Sequence, residues 1–151
     1  MDKVLRILDA NLNRGREGLR VVEDLVRFVL DDAALSSQIK ATRHEITTIS
    51  REILIQEKEI LYSRNSSGDV GMDIKSDTEL SRISLAQIAT ANIRRSQESM
   101  RVLEELSKLY DTNTALRFKK LRYKLYELEK QVFMKLLEAK SDMEFKSQDG
   151  C

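Results

Sequence analysis

The sequence of 151 residues contains no proline and no tryptophan, and it has only five glycines, one histidine and one cysteine. Because the single cysteine is the last residue, Cys151, an intrachain disulfide framework is excluded, and one histidine cannot build a histidine-rich metal centre. No apolar run approaches the roughly 18 residues that a membrane-spanning helix needs. The first residues, MDKVLRILDANL, lack the continuous apolar stretch of a signal peptide. We therefore expect a cytoplasmic protein without a membrane segment.

The sequence also lacks an excess of charge of either sign. The 26 Lys and Arg residues nearly cancel the 25 Asp and Glu residues, which leaves a net charge of +1. Such a balance gives no overall electrostatic reason to bind nucleic acid or an anionic membrane. With 41% hydrophobic residues the chain can bury a core, and its length fits one domain. We expect one helical domain over residues 1–145 and a tail at 146–151.

Without chain breakers, the apolar pattern is typical of helices almost throughout. Apolar residues recur at alternating spacings of three and four, for example Phe118, Leu121, Leu125, Leu128 and Val132. Cap-forming residues cluster at 31–32 and 111–114, and a glycine-containing loop follows Arg64. These features predict an all-α protein, an antiparallel four-helix bundle with helices of about 29 to 31 residues.

The two halves of the chain resemble each other. Sliding the chain by 81 positions lays DANLNRGREGLRVVEDL, from Asp9, on TANIRRSQESMRVLEEL, from Thr90. Eight of the sixteen pairs from Ala10 to Leu25 are then identical. Further along, IKATRHEI at 39–46 matches FKKLRYKL at 118–125, at a shift of 79. We interpret the bundle as two repeated helical hairpins, about 2–63 and 81–145, joined by a connector at 64–80.

Small and polar residues interrupt the apolar stripe of the first predicted helix. At about 3.6 residues per turn, Asn11, Gly15 and Gly18 fall within the stripe and Arg14 lies at its edge. A glycine inside a helix costs about 1 kcal/mol relative to alanine, so two of them need a reason. They predict a close approach of either another helix or a ligand.

Two interpretations of these polar residues stay open. In one, Asn11, Arg14 and their second-copy counterparts Asn92 and Arg95 pair with glutamates across the bundle and fix its register. In the other, they form an anion pocket, because an asparagine amide donates hydrogen bonds and the planar arginine fork suits phosphate. Duplication would then supply two of each group.

Other charged residues are weaker candidates. Most carboxylates of the first and third helices are expected to pair within their own helix with arginine or lysine at a spacing of three or four. His44 is interpreted as a structural group, and the connector is either a lid over a site or a plain linker. The basic residues that either add charge to a pocket or extend into solvent are Lys40, Arg43, Lys119 and Arg122.

An ordered series of motifs resembles one known family. The segment RILDANLNRGREGLRVVEDLVRFVLDDAAL at 6–35 is followed by KATRHEI, RNSSGDVG, ANIRRSQESMRVLEELSKLY and KKLRYKLYELE. The series is similar to the helical domain that precedes thiamine-phosphate synthase in cyanobacterial fusion proteins and also occurs alone. The synthase barrel itself is absent, since 151 helical residues leave no room for eight βα units.

The resemblance implies a kinase of thiamine biosynthesis that uses ATP and Mg²⁺ to convert hydroxymethylpyrimidine phosphate to the diphosphate that the synthase consumes. It brings no catalytic residues with it, so roles follow from helix geometry. These roles are phosphate clamps at Arg14 and Arg95, orienting donors at Asn11 and Asn92, and metal or base candidates at Glu17 and Glu98. Further substrate contacts are assigned to Lys40, Arg43, Lys119, Arg122 and Asp69. No metal ligand is identified beyond these candidates.

The sequence departs from the family pattern in two places. Gly15 stands where an alanine or a similarly small residue is expected, and Ser96 and Gln97 make the second copy less regular. Whether one copy or both form a site therefore stays open. Two non-catalytic alternatives also remain: a helical module that binds or regulates thiamine-phosphate synthase or forms a homodimer, and a structural bundle whose inward polar groups only set register.

Overall fold

The computed structural model describes residues 2–53, 57–74 and 82–148, and within them the secondary structure is helical, with no strand. The prediction of an all-α protein is confirmed for this part of the chain. Residues 75–80 of the predicted connector and residue 81 lie outside it. The helices are α1 (Asp2–Phe28), α2 (Ala33–Ile53), α3 (Glu57–Ser63), α4 (Leu85–Ser107) and α5 (Thr112–Gln148).

The helix boundaries differ in detail from those predicted. The second predicted helix is covered by α2 and α3, and residues 54–56 between them lie outside the described part. Helix α4 begins at Leu85 because Ser84 is its N-cap, whose Oγ accepts from Gln87 N at 3.1 Å. Helix α5 continues to Gln148, three residues into the predicted tail. Within the described ranges, no helix is both long and apolar enough to cross a membrane.

Asp32 and Asp111, at matched positions of the two copies, cap α2 and α5. Leu35 N donates to Asp32 Oδ1 at 2.8 Å, and Thr114 N donates to Asp111 Oδ2 at 2.8 Å. The pKa of Asp32 is held below its ordinary value by the Leu35 amide and by Lys135. The hydroxyl and amide of Thr114 likewise lower the pKa of Asp111. The caps predicted at both places are confirmed.

Helix α4 packs against both α1 and α5, while α1 also contacts α2 and α3, and α2 contacts α5. The apolar stripes predicted for these helices form one core. Its most deeply buried side chains include Leu8, Leu19, Ile39, Ile46, Ile49, Ile93, Leu103, Phe118, Leu125 and Leu128. Burial of these side chains is the main term that stabilises the helices, since each contributes about 1.5 to 3 kcal/mol when buried.

The crossing of α1 and α4 explains the two glycines. A β-carbon on Gly18 would lie 2.5 Å from the backbone oxygen of Asn92 and 2.5 Å from Ser96 Oγ, whereas one on Gly15 would lie 3.7 Å from Ser99 Cβ. Ser96 Oγ donates to the carbonyl of its matched residue Gly15 at 3.0 Å. Because residue 15 lies beside 99 and residue 18 beside 96, α1 and α4 run antiparallel here. Of the two predicted alternatives, the glycines therefore allow the close approach of another helix, α4, and not that of a ligand.

Candidate functional site

A cleft of about 630 Å³ lies between the first half of α1 and the start of the connector. We call it the α1–connector cleft. Its cationic side chains are Lys3, Arg6, Arg14 and Arg64, and its carboxylates are Asp9, Glu17 and Asp69. Asn11, Asn13, Asn65 and Ser66 add amide and hydroxyl groups. Polar groups of this kind on a concave surface are typical of a site for a charged small molecule.

Arg64 anchors the connector to α1 through Asp9. Its Nε donates to Asp9 Oδ2 at 2.8 Å and its Nη2 donates to Asp9 Oδ1 at 2.7 Å, across 55 positions of sequence. Asn13 Nδ2 adds a longer bond to Asp9 Oδ1 at 3.3 Å. The Asp9 side chain is only 10% exposed, whereas that of Arg64 is 42% exposed. The bidentate pair, which raises the pKa of Arg64, therefore joins a buried carboxylate to a guanidinium open to the cleft.

Four predicted site residues line this cleft: Asn11, Arg14, Glu17 and Asp69. Arg14 and Glu17 are exposed and lie one helical turn apart on α1. Asn11 is buried, and its Nδ2 donates to the carbonyl of Ile7 in its own helix at 2.9 Å. This bond lies within α1, and among the described residues Asn11 makes no bond to a glutamate across the bundle.

The start of the connector is organised by its own side chains. Asn65 Oδ1 accepts from Gly68 N at 3.0 Å, and Asp69 Oδ1 accepts from Gly71 N at 2.9 Å. The bond from Gly71 to Asp69 spans two residues and is an Asx turn, in which a side chain replaces a backbone carbonyl, and the bond from Gly68 to Asn65 spans three. They form a sequence of tight turns that holds Asp69 at the edge of the cleft.

The second copy has no equivalent arrangement at its matched positions 90–98 on α4, as far as the described residues show. Asn92 Nδ2 donates to Ile88 O at 2.9 Å, as Asn11 does in α1. Arg95 and Glu98 are exposed on α4, and neither lines the α1–connector cleft. Arg95 therefore does not join Arg14 in this cleft. Two antiparallel helices direct matched residues toward opposite ends of their contact.

Thr90 and Arg94 replace the Asp9 and Asn13 of the first copy. Thr90 Oγ1 is buried without a hydrogen-bond partner in the described part of the protein. Arg94 Nε donates to Glu129 Oε1 at 2.8 Å, and Glu129 Oε2 accepts from Gln97 at 2.7 Å. In the second copy, Arg94 is therefore bound to α5 and not to a connector.

Arg43 and Arg122 form matched ion pairs inside the two copies. Arg43 Nε lies 2.9 Å from Glu23 Oε2, and Arg122 Nη2 lies 3.0 Å from Glu104 Oε2. Glu104 also accepts from Arg101 at 3.0 Å. The two glutamates are buried, and their pairs with Arg43 and Arg122 join neighbouring helices. The side chains of Arg43 and Arg122 are only 19% and 14% exposed, which limits the approach of a substrate to them.

The remaining basic candidates lie elsewhere. Lys40 lines a separate cleft of about 450 Å³ with Glu23, Arg27 and Asp32. Lys119 is exposed on α5. The pKa of Arg122 is raised by a hydrogen bond to the Tyr126 hydroxyl and by Glu104. The structure therefore divides the predicted site residues among several surfaces.

The sequence analysis assigned no role to Asp9, and it named Arg64 only at the start of a connector that is either a lid or a plain linker. In the described residues, no group of three or more His, Cys, Asp or Glu side chains is arranged to hold a metal ion.

Comparison with known proteins gives a consistent assignment. A family model described as the ThiD2 family matches residues 6–131. The chain is 41% identical over 126 residues, 83% of its length, to the thiamine-phosphate synthase of Nostoc punctiforme, of which this covers 34%. It is 40% identical over 138 residues, 91% of its length, to the thiamine-phosphate synthase of Thermosynechococcus vestitus, covering 38% of that protein.

A third relative is the thiamine-phosphate synthase of Rhodopirellula baltica, which is 36% identical over 133 residues, 88% of this chain and 35% of the relative. The chain therefore spans only about a third of the length of these curated relatives. No solved structure matches the chain.

Proposed function

Because the chain belongs to the ThiD2 family, we propose that it acts in thiamine biosynthesis as a cytoplasmic, ATP-dependent hydroxymethylpyrimidine phosphate kinase. The names of the relatives support the pathway, since they are thiamine-phosphate synthases. The product of the kinase would be the diphosphate that such a synthase consumes. The α1–connector cleft, with arginines on both of its walls, is the observation that carries the assignment of the site.

The chemistry explains why such a cleft suits this reaction. An oxygen of the phosphomonoester forms a bond to the γ-phosphorus of ATP, the bond from that phosphorus to the β,γ-bridging oxygen breaks, and ADP leaves with the electron pair. Two polyanions must approach each other, so the protein mainly supplies positive charge and orientation. Arg6 and Arg14 make no hydrogen bond or ion pair among the described residues and lie open to the cleft. They would bind the phosphates.

Two carboxylates of the cleft fit a magnesium ion. Glu17 and Asp69 line the cleft from opposite sides, one on α1 and one on the connector. Magnesium in phosphoryl-transfer sites is usually held by one or two carboxylates together with substrate phosphates. When bound, the ion would neutralise charge that develops on the phosphates. Glu17 and Asp69 would hold it, and Asn11 would orient the substrate through its free amide hydrogen.

The proposal is tested by incubating the protein with Mg-ATP and hydroxymethylpyrimidine phosphate and measuring formation of ADP and the diphosphate. We expect Arg14→Ala to lower kcat/KM at least about tenfold, since a charge-assisted bond to phosphate contributes about 1.5 to 3 kcal/mol. Arg27→Ala, at the other end of α1, is the matched control and should keep its activity. Absence of turnover, together with no thermal stabilisation by either substrate, would exclude the kinase.

A second candidate is a non-catalytic partner module of thiamine-phosphate synthase. It is favoured by an aromatic group on the outer face of α5. The ring centroids of Tyr123 and Tyr126 lie 5.8 Å apart there in an edge-to-face arrangement, and Phe133 is 42% exposed. Exposed aromatic clusters are common at protein interfaces. Titration with a thiamine-phosphate synthase tests it, because a partner module would change the activity of that enzyme without any turnover of ATP.

A further inference from the structure

We infer that Arg64 is a phosphate-binding residue and that Asp9 is its positioning residue, so that phosphate binding is confined to the cleft of the first copy. The inference rests on the proposed function, because it takes a phosphorylated small molecule as the ligand. Neither residue has an assigned role, and no periodicity in the sequence connects them. The inference follows from the geometry of the pair of Arg64 and Asp9, from the charges around this pair and from the absence of such a pair among the described residues of the second copy.

The geometry of the pair leaves donors free. A guanidinium has five N–H groups, and Arg64 uses one on Nε and one on Nη2 to bind Asp9. Three N–H groups therefore remain, two on Nη1 and one on Nη2. The side chain is 42% exposed and lines the cleft, so these donors lie on its accessible edge. An arginine held at one edge by a carboxylate presents the other edge to an anion with little loss of conformational entropy on binding.

Asp9 is held more firmly than a surface tether requires. The whole Asp9 residue is 7% exposed, and its carboxylate accepts hydrogen bonds from both Arg64 and Asn13. Asn13 is in turn fixed by Arg16, whose Nη2 donates to Asn13 Oδ1 at 2.8 Å. A buried carboxylate is costly unless it is paired, so this network stabilises a single geometry of Arg64.

The neighbours of Arg64 make the cleft suitable for an anion. Arg6 and Arg14 line the same cleft, and neither has a counterion among the described residues. Asp9 pairs with Arg64, and Glu17 adds an electrostatic attraction to the same guanidinium without forming an ion pair. Without Asp9, Arg64 would be repelled by the other two arginines and would extend into solvent. Asp9 therefore keeps a third arginine at a place where positive charge is already concentrated.

The second copy provides the internal comparison. Thr90 stands at the position of Asp9 and cannot hold a guanidinium by a charged pair, and Arg94 stands at the position of Asn13 and is bound to Glu129. Arg94, whose side chain is 65% exposed, is paired with Glu129 on α5 and lies outside the α1–connector cleft. The charge arrangement that serves phosphate binding is thus present on one side of the molecule alone, as far as the described residues extend.

The experiment measures binding directly, without turnover. Inorganic pyrophosphate and hydroxymethylpyrimidine phosphate are titrated into the intact protein in a calorimeter, and circular dichroism checks the helix content of each variant. We expect Arg64→Ala to weaken binding of both probes about tenfold or more, and Arg64→Lys, which keeps the charge without the fork, to restore part of it. Arg94→Ala, which opens the corresponding ion pair of the second copy, should bind both probes as the wild-type protein does.

Asp9→Asn tests the positioning role, since the two side chains have nearly the same shape. It should weaken binding about threefold to tenfold, and the double variant Asp9→Asn/Arg64→Ala should bind no more weakly than Arg64→Ala alone. Additive losses would overturn the role of Asp9 as a residue that acts through Arg64. A merely structural Asp9 would lower the melting temperature without this non-additivity.

The outcomes separate the inference from the kinase. Binding that depends on Arg64 in a protein without kinase activity would support the inference and exclude the proposed function. Kinase activity in Arg64→Ala equal to that of the wild-type protein, with equal binding, would overturn the inference and leave the function intact. If the wild-type protein binds neither probe, the inference is overturned.

Discussion

The two segments that match in sequence share one kind of ion pair and differ at another buried position. In the first copy Arg43 pairs with the buried Glu23, and in the second Arg122 pairs with the buried Glu104, at nearly equal distances. By contrast, the Asp9 of one copy corresponds to Thr90 in the other. The shared contacts maintain the fold, and a position that differs marks where one copy is free to acquire a separate role.

The strongest test of this difference compares Arg14→Ala with Arg95→Ala, which remove matched arginines from α1 and α4. If the site lies in the first copy alone, Arg14→Ala should lower kcat/KM about tenfold to a hundredfold, whereas Arg95→Ala should change it by less than about twofold. Steady-state assays with hydroxymethylpyrimidine phosphate measure both. Equal losses in the two variants would mean that both copies bind substrate.

The next largest effect is expected from Gly18→Ala at the crossing of α1 and α4. The added β-carbon would lie 2.5 Å from the backbone oxygen of Asn92, and backbone cannot move aside cheaply. We expect a loss of about 1 to 3 kcal/mol in the free energy of unfolding despite the gain in helix propensity, measured by urea denaturation.

Gly15→Ala is the matched control for Gly18→Ala. Its β-carbon would meet the terminal methyl of Met100 at 2.7 Å, and a flexible side chain of this kind can rotate away. We expect a change in unfolding free energy within about 1 kcal/mol, of either sign. A loss at Gly15 as large as that at Gly18 would contradict the role assigned to the backbone contact.

A smaller effect should distinguish the two ion pairs. Arg43→Ala leaves Glu23 with only Arg20, whose Nη1 is 3.9 Å away, and should cost about 2 kcal/mol. Arg122→Ala should cost less, about 1 kcal/mol, because Glu104 keeps its contact with Arg101 at 3.0 Å. Thermal unfolding of the two variants measures the difference. A larger loss in Arg122→Ala than in Arg43→Ala would contradict the role assigned to the contact between Arg101 and Glu104.

The smallest effect is the pH dependence of the helix caps. Because the pKa of Asp111 is lowered in the folded protein, its contribution to stability is present above the ordinary value of 3.8 and disappears as the pH falls through the folded pKa. Asp111→Asn keeps a cap-forming side chain but cannot ionise. The stability difference between the variant and the wild-type protein should therefore shrink below about pH 3.8, as measured by denaturation at pH 7 and pH 3. Asp32→Asn should behave in the same way, since its pKa is lowered too.

Much of the fold could be predicted from the sequence because it depends on local spacing. Helical periodicity identified the buried stripes, and Asp32 and Asp111 marked the starts of two helices. Pairing at three or four positions correctly predicted bonds within α1 and α4, such as that from Arg101 to Glu104. These contacts lie within one or two turns of helix, so their residues are neighbours in sequence as well.

The site was harder to predict because its main contact is not local. Asp9 and Arg64 are 55 positions apart and meet only because α3 returns the chain to α1. The burial of Glu23 depends in the same way on Arg43 from the next helix. Asn11, Arg14 and Glu17 could be grouped from their helical spacing, but that spacing does not reveal which side chains from elsewhere complete the group.

The bond between Ser96 and Gly15 joins two residues that are the same position in the repeat. If the hairpins were separate, identical chains, this would be a contact of one residue with its own copy across a symmetry axis, and every substitution would appear on both sides. Joining the hairpins in one chain removes that constraint. A glycine can then face a serine at the axis, and an aspartate can be introduced at one end of the molecule without a second buried carboxylate appearing at the other.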